Sequence, residues 1–353
     1  QLSKEQLYEK QTGKKWDRRE KFDIYKDLKK KNDNITITYH PKHFLNKNDP
    51  NVPFFLSGLS NSETIYCNEN GYYSIYQSDR YGFNNPDNEW DNKEIEYLLV
   101  GDSFTHGACV NRPNDISSVL RNLSKKSVLN LGIGGNGPLI EYATLREYSN
   151  TKVKKVLWIY YEENDLEEMK NEMKNNILMN YINDLNFTQK LKFIQNDIDK
   201  FIQNDFDSSL SNLIEKNEKE RERERERENF KIKFSQFIKI YSTRYLILPP
   251  PPPAPEFKQI LQLAKELTNK NNSKMYFVYL PEYSLYKISY DNTNYKLVKE
   301  IVNELKIPFI DIHKEVFEKE QNPLRLFPFE LPGHYNVEGY KKVAETIYKF
   351  TKD

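Results

Sequence analysis

Continuous apolar runs alternate along this chain with helical periodicities, and that rhythm narrows the fold more than any other feature. Apolar runs occur at 96–101 (EYLLVG), 127–132 (SVLNLG), 155–161 (KVLWIYY) and 274–280 (KMYFVYL), with a weaker one at 307–312 (IPFIDI). Runs without polar alternation are what strands of a parallel sheet look like when helices cover both faces. The intervening segments supply those helices. Phe257, Ile260, Leu261 and Ala264 fall on one helical face, as do Leu297, Ile301 and Leu305, and Tyr340, Val343, Ala344 and Ile347 repeat the pattern. Five strands with four helical crossovers make a three-layer α/β/α domain.

At 353 residues the chain is long enough for one such domain carrying a large insertion, or for two domains. Three segments stand outside the strand rhythm. Residues 1–95 are charged at first, then rich in turns and aromatics, with Asn70-Gly71 suggesting a hairpin; they are expected to pack on the core as an extension. Residues 96–353 hold the core, interrupted at 166–255 by a polar, helix-favouring insertion. The insertion contains RERERERE (221–228), which reads as a solvated helix or flexible segment because like charges recur at i,i+4. PPPPPAP (249–255) reads as an extended spacer before a helix beginning near Glu256. With 25 Tyr and 20 Phe in the chain, aromatic side chains must supply much of the buried area.

Charge and cysteine content exclude several roles. The 53 basic residues are balanced by 52 acidic ones, so no basic field marks a nucleic-acid partner. No run of about 18 apolar residues could span a membrane. The first residue is Gln1 rather than Met, which suggests that a leader or anchor has been removed and favours the cell envelope over the cytoplasm. Cys67 and Cys109 have no metal-ligand spacing and read as two unpaired thiols, the alternative being one disulfide in an oxidising compartment. Oligomeric state is not legible.

Candidate chemistry gathers at strand ends. Gly101-Asp102-Ser103 follows the first strand, where open α/β sheets bind ligands, and a hydroxyl there can act as a nucleophile or only cap a helix. After the second strand, NLGIGGNGP (130–138) offers Gly135, whose N–H could face a developing oxyanion. Asn164, in EENDL (162–166), could donate a second hydrogen bond. His334, in LPGHYNVEGY (331–340), lies in a Pro/Gly turn before the last helix and could take the proton of Ser103. Asp102 is expected to steady the serine turn. His106, one turn beyond Ser103, reads as a partly exposed residue that could border the pocket; His40, His43 and His313 read as surface or packing residues. Asp79 and Arg80 could approach the site or form a structural ion pair.

These four blocks, in this order, resemble the SGNH (GDSL-type) hydrolases, with Ser103, Gly135, Asn164 and His334 as the matching residues over roughly 95–170 and 270–350. The resemblance implies a flavodoxin-like sheet of order 2-1-3-4-5, counting from 96–101, with right-handed crossovers. It also implies an acyl-serine mechanism without metal or organic cofactor, and an oxyanion hole of the Ser103 N–H, Gly135 and Asn164. Two positions depart from the pattern. Glu162 stands where the third block usually has glycine, and Leu331 stands where the acid three residues before the histidine belongs. Glu330 is a substitute acid, and a backbone carbonyl serving a Ser–His dyad is the other expectation. The expected function is a serine esterase or O-acyltransferase acting on a small acyl ester, most plausibly acetyl on a carbohydrate. The competing reading is a catalytically degenerate binding or assembly module for envelope polysaccharide.

Overall fold

The apolar runs form one parallel sheet in a computed structural model that describes residues 2–46, 52–149, 152–208, 251–287 and 292–352. Three short strands precede it: β1 (Ile35–Ile37), β2 (Glu63–Ile65) and β3 (Ile75–Gln77). The central sheet is built from β4 (Glu94–Gly101), β5 (Val128–Asn130), β6 (Lys152–Tyr161), β7 (Lys274–Leu280) and β8 (Phe309–Asp311). All of its neighbours pair in parallel, in the order β5-β4-β6-β7-β8, which is 2-1-3-4-5 counted from β4.

Strand geometry sends successive side chains to opposite faces, and the core divides accordingly. Leu98, Val100, Trp158, Tyr160, Phe277 and Tyr279 face one side, where they meet Leu139, Ala143, Phe257, Ile260, Leu261 and Ala264 of helices Pro138–Tyr148 and Pro255–Lys270. Tyr97, Leu99, Leu157, Ile159, Tyr276 and Val278 face the other, against Ile116, Leu120, Tyr340, Val343, Ala344 and Ile347 of helices Ile116–Ser124 and Val337–Thr351. One helix face differs from expectation. In helix Thr293–Glu304 the buried residues are Val298 and Val302, while Leu297, Ile301 and Leu305 are only partly covered.

The N-terminal segment closes over one end of this core. β1 pairs with β2 in parallel, β2 with β3 antiparallel, and the β2–β3 connection runs through Asn70-Gly71. Asp79 is buried beneath it as a hub, accepting from Tyr81 N, Phe83 N, Asn85 Nδ2 and Trp90 Nε1 at 2.9, 3.0, 2.9 and 2.7 Å. Arg80 turns away to Asp87 and Asp91, so the two do not form an ion pair with each other. The described half of the insertion is no solvated appendage. Leu166, Met169, Leu178, Tyr181, Leu191, Ile198 and Ile202 join the core, and Phe201 packs on Phe44 and Phe55 of the N-terminal segment. The RERERERE run and Pro249-Pro250 lie outside the described residues.

Cys67 and Cys109 form a disulfide, which corrects the expectation of two free thiols. They lie 42 residues apart and join the end of β2 to the segment that follows the serine turn. Among the described residues, no helix is long and apolar enough to cross a membrane.

Candidate active site

Ser103 opens a one-turn helix (Ser103–His106) at the carboxyl end of β4. The turn is tight because Gly101, with φ +156°, brings its α-carbon against the next elements: a Cβ there would meet Thr105 Oγ1 at 2.0 Å and the Ile159 carbonyl at 2.6 Å. Only glycine fits. Asp102 caps the helix, its Oδ1 accepting from Phe104 N at 2.8 Å. Burial pushes the Asp102 carboxyl above the usual carboxylate range, with the Phe104 N–H and the charge of His334 opposing.

His334 arrives from the other end of the chain. Its neighbour Tyr335 is buried and donates its hydroxyl to the Pro281 carbonyl at 2.7 Å, while Asn336 caps helix Val337–Thr351 by accepting from Gly339 N at 3.0 Å. The imidazole is thereby carried on a backbone fixed by the two residues that follow it. Its Nε2 lies 2.9 Å from Ser103 Oγ. The hydroxyl has one proton and two acceptors within reach, Nε2 and Asp102 Oδ2 at 3.2 Å, and Nε2 is nearer.

The acid on the far side of the imidazole is Glu69, which the sequence reasoning passed over. Glu69 Oε1 lies 3.2 Å from His334 Nδ1, and Oε2 accepts the His334 backbone N–H at 2.8 Å. Gly333 makes this approach feasible, since a Cβ on it would stand 2.3 Å from Glu69 Oε2. Lys4 Nζ stands 3.8 Å from the same carboxylate. Burial alone would raise the Glu69 pKa, but the charge and hydrogen bond of His334, with Lys4, outweigh it and hold the group below the usual range. Burial likewise works against protonated His334, and the Glu69 charge and hydrogen bond reverse that, leaving its pKa raised.

Glu330 is not placed to orient His334. Its side chain accepts from Asn322 Nδ2 at 3.0 Å, and its carbonyl takes the Tyr283 hydroxyl at 2.9 Å. The reason lies in the backbone: Phe329 and Glu330 both take positive φ, +57° and +58°, which turns the loop before Leu331. Among the described residues, the acceptor on the Nδ1 side is the Glu69 carboxylate rather than a backbone carbonyl.

Ser103, His334 and Asn164 line one cavity of about 400 Å³, with Phe104, Tyr161 and Tyr283 as aromatic walls and Lys42, Glu163 and Glu168 as its charged groups. Among the described residues, Asn164 Oδ1 is buried with no hydrogen-bond partner. Gly135 is not among the residues that line this cavity; it lies under Lys42, which does, and a Cβ placed on Gly135 would be 2.8 Å from Lys42 Nζ. Lys42 pairs with Glu168 at 3.6 Å, and Glu163 accepts the Tyr161 hydroxyl at 2.7 Å. His106 is buried rather than partly exposed. It stacks on Tyr66 with centroids 4.6 Å apart, and burial lowers its pKa to about 4. His40 and His43 pack edge to face, and His313 bonds Tyr286 and Glu318. Glu69, Cys109 and His334 cluster closely enough to suggest a metal, but Cys109 sulfur is committed to the disulfide and has no thiolate to offer.

Similar solved structures include a protein assigned to the G-D-S-L lipolytic family from Desulfitobacterium hafniense DCB-2, with 14% identity and a TM-score of 0.38 over 73% of this chain and 99% of that one. An acetyl xylan esterase, AlAXEase, shows 13% identity and a TM-score of 0.38 over 72% and 99%. The acetylxylan esterase Axe2 from Geobacillus stearothermophilus shows 14% identity and a TM-score of 0.37 over 73% and 94%. No protein-family model matches the chain, and no curated protein does.

Proposed function

We propose that this protein is a serine esterase or O-acyltransferase that takes a small acyl group, acetyl by preference, from a carbohydrate ester through an acyl-Ser103 intermediate. The observation that carries the reading is the unbroken chain from Ser103 Oγ to His334 Nε2 at 2.9 Å and from His334 Nδ1 to Glu69 Oε1 at 3.2 Å. Such a chain serves nucleophilic acyl chemistry wherever it occurs, whatever the sequence positions of its members.

In the first half-reaction Ser103 Oγ attacks the ester carbonyl carbon while its proton passes to Nε2. The carbonyl π-pair moves onto oxygen, where the Ser103 N–H and the Asn164 amide are the proposed donors, with Gly135 as the third. Glu69 holds the proton on Nδ1 and stabilises the imidazolium. The tetrahedral species then collapses, the imidazolium proton goes to the departing sugar hydroxyl, and the acyl group stays on Ser103. In the second half-reaction water or an acceptor hydroxyl repeats the attack, and the serine is regenerated.

The cavity supports a small substrate of this kind. About 400 Å³ between three aromatic walls suits a short acyl chain and one sugar ring better than a long lipid tail. With Lys42 matched by Glu168, and Glu163 a further carboxylate, the lining favours a neutral ester over an anionic one. The assembled Ser103–His334–Glu69 chain weighs against the degenerate binding module. The disulfide supports an oxidising, cell-envelope location.

A fluorophosphonate probe tests the chemistry directly. Stoichiometric labelling of Ser103, lost in Ser103→Ala and His334→Ala, is expected, together with turnover of p-nitrophenyl acetate. Absence of both in folded protein would return the chain to the binding-module reading.

A further inference from the structure

The Cys67–Cys109 disulfide lies at the junction between the two segments that meet in the active site. Cys67 is two residues before Glu69, and Cys109 is six residues after Ser103. Asn70 Nδ2, on the residue after Glu69, donates to the Cys109 carbonyl at 2.9 Å, so the bridge and this bond clamp the Glu69 turn from either side. Cys109 itself sits at φ +62°, a conformation that side-chain-bearing residues seldom adopt and that needs a local constraint to hold it. Its sulfur lies 3.7 Å from His334 Nδ1, the same nitrogen that Glu69 faces.

We propose that the Cys67–Cys109 disulfide is a positioning element for Glu69, so that the acyl chemistry at Ser103 depends on the oxidised state of this pair. The inference rests on the acyl-transfer reading above and adds a dependence to it. In the oxidised protein the sulfur beside Nδ1 carries no hydrogen, and Glu69 alone accepts the Nδ1 proton. A dithiol reductant breaks the S–S bond, delivers two electrons and two protons to give two thiols, and leaves as its own cyclic disulfide. Two consequences follow at His334. The Glu69 turn loses its covalent tie to the serine segment, and Cys109 becomes an S–H donor next to Nδ1. A donor there favours the tautomer with hydrogen on Nε2, which can no longer accept the Ser103 proton.

The experiment compares kcat and KM for p-nitrophenyl acetate in oxidised protein and in the same protein reduced with dithiothreitol, desalted anaerobically, and checked by mass for the gain of two hydrogens. Wild type and Glu69→Gln are treated alike, and circular dichroism follows the fold. The expected result is a kcat lower by about tenfold or more with KM nearly unchanged, bounded by the loss from removing the triad acid itself. Re-oxidation should restore it. Because the bridge acts through Glu69, reduction should cost Glu69→Gln little more. Fully reduced wild type with undiminished kcat overturns the proposal while leaving the acyl reading intact. An equal fold loss in Glu69→Gln also overturns it, since the bridge would then act independently of that carboxylate. Should oxidised wild type neither turn over nor label at Ser103, the acyl reading itself falls and takes this one with it. Cys67→Ala/Cys109→Ala, if it folds, should match the reduced protein except where the Cys109 thiol adds to the loss.

Discussion

Replacing Glu69 by glutamine tests the active-site assignment at its least expected residue. The side chains are nearly the same shape, so the outcome turns on hydrogen-bond direction. One carboxylate oxygen takes the His334 backbone N–H at 2.8 Å and the other faces Nδ1 at 3.2 Å. In the glutamine variant the backbone N–H claims the carbonyl oxygen, which leaves the amide NH2 pointing at Nδ1. A donor at that position drives the imidazole proton onto Nε2 and ends acceptance from Ser103. The imidazolium formed during attack also loses its counter-charge. Unit charges about 4 Å apart at an effective dielectric of about 20 interact by about 4 kcal/mol. At about 1.36 kcal/mol per decade that is a factor near 10³. Two features reduce it: the two side chains are 20% and 23% exposed, and Lys4 already shares the carboxylate. A fall in kcat of roughly a hundredfold to a thousandfold is therefore expected.

The assay is steady-state turnover of p-nitrophenyl acetate, with Ser103→Ala as floor and Glu69→Asp as partial rescue. The pH profile supplies a second readout. The base must be neutral to accept a proton, so activity is low below the His334 pKa and rises through it. Burial lowers that pKa, but the Glu69 charge and hydrogen bond raise it by more. Removing the charge should accordingly move the acidic limb to lower pH while the plateau drops. A residue that only held the loop in shape would not move the limb. A Glu69→Gln enzyme within about fivefold of wild type, with an unmoved limb, would refute the assignment and leave a Ser–His dyad.

Glu330→Gln should keep activity within about twofold, because its side chain bonds Asn322 and not His334; kcat measured beside Glu69→Gln decides it. Gly333→Ala places a methyl 2.3 Å from Glu69 Oε2 and should lower kcat by about tenfold or more through displacement of that carboxylate, with thermal melting showing whether the fold survives. Asp79→Ala removes the acceptor of four donors, two buried and two partly buried, and should destabilise by about 2 to 4 kcal/mol in urea unfolding, with activity kept wherever the variant is folded.

The central sheet was legible because parallel strands covered on both faces leave an unmistakable mark. LLVG, VLWIYY and MYFVYL are apolar at every step, and β4, β6 and β7 contain them. At the sheet edge the signal weakened, and the run at 307–312 shrinks to Phe309–Asp311. Helix Thr293–Glu304 shows why periodicity can name a helix and miss its face. Leu297-Ile301-Leu305 and Val298-Val302 are adjacent stripes, and contact with the sheet, which sequence does not contain, buries the second. His106 was misjudged for a related reason. The one-turn helix it ends is roofed by Tyr66 and Tyr76, from a segment whose docking no local pattern specifies.

The misplaced acid has a deeper cause. Searching beside His334 for its carboxylate assumes that the partner arrives on the same loop, and Leu331 and Glu330 were weighed on that assumption. The imidazole requires only an acceptor at Nδ1 with fixed geometry; it has no stake in sequence distance. Here the acceptor comes from 265 residues away, on a turn belonging to the N-terminal segment. Two signals in the sequence pointed to it jointly: Cys109 follows Ser103 by six residues, and Cys67 precedes Glu69 by two. Had the cysteines been paired, Glu69 would have been drawn to the serine turn, since bridged α-carbons lie about 5.5 Å apart in general and 5.0 Å here. Reading them as free thiols removed the one long-range constraint available. It also explains why Leu331 is tolerable: with Nδ1 already served from outside the α/β core, the position before Pro332 carries no chemical obligation, and the loop needs only Gly333 to let Glu69 in.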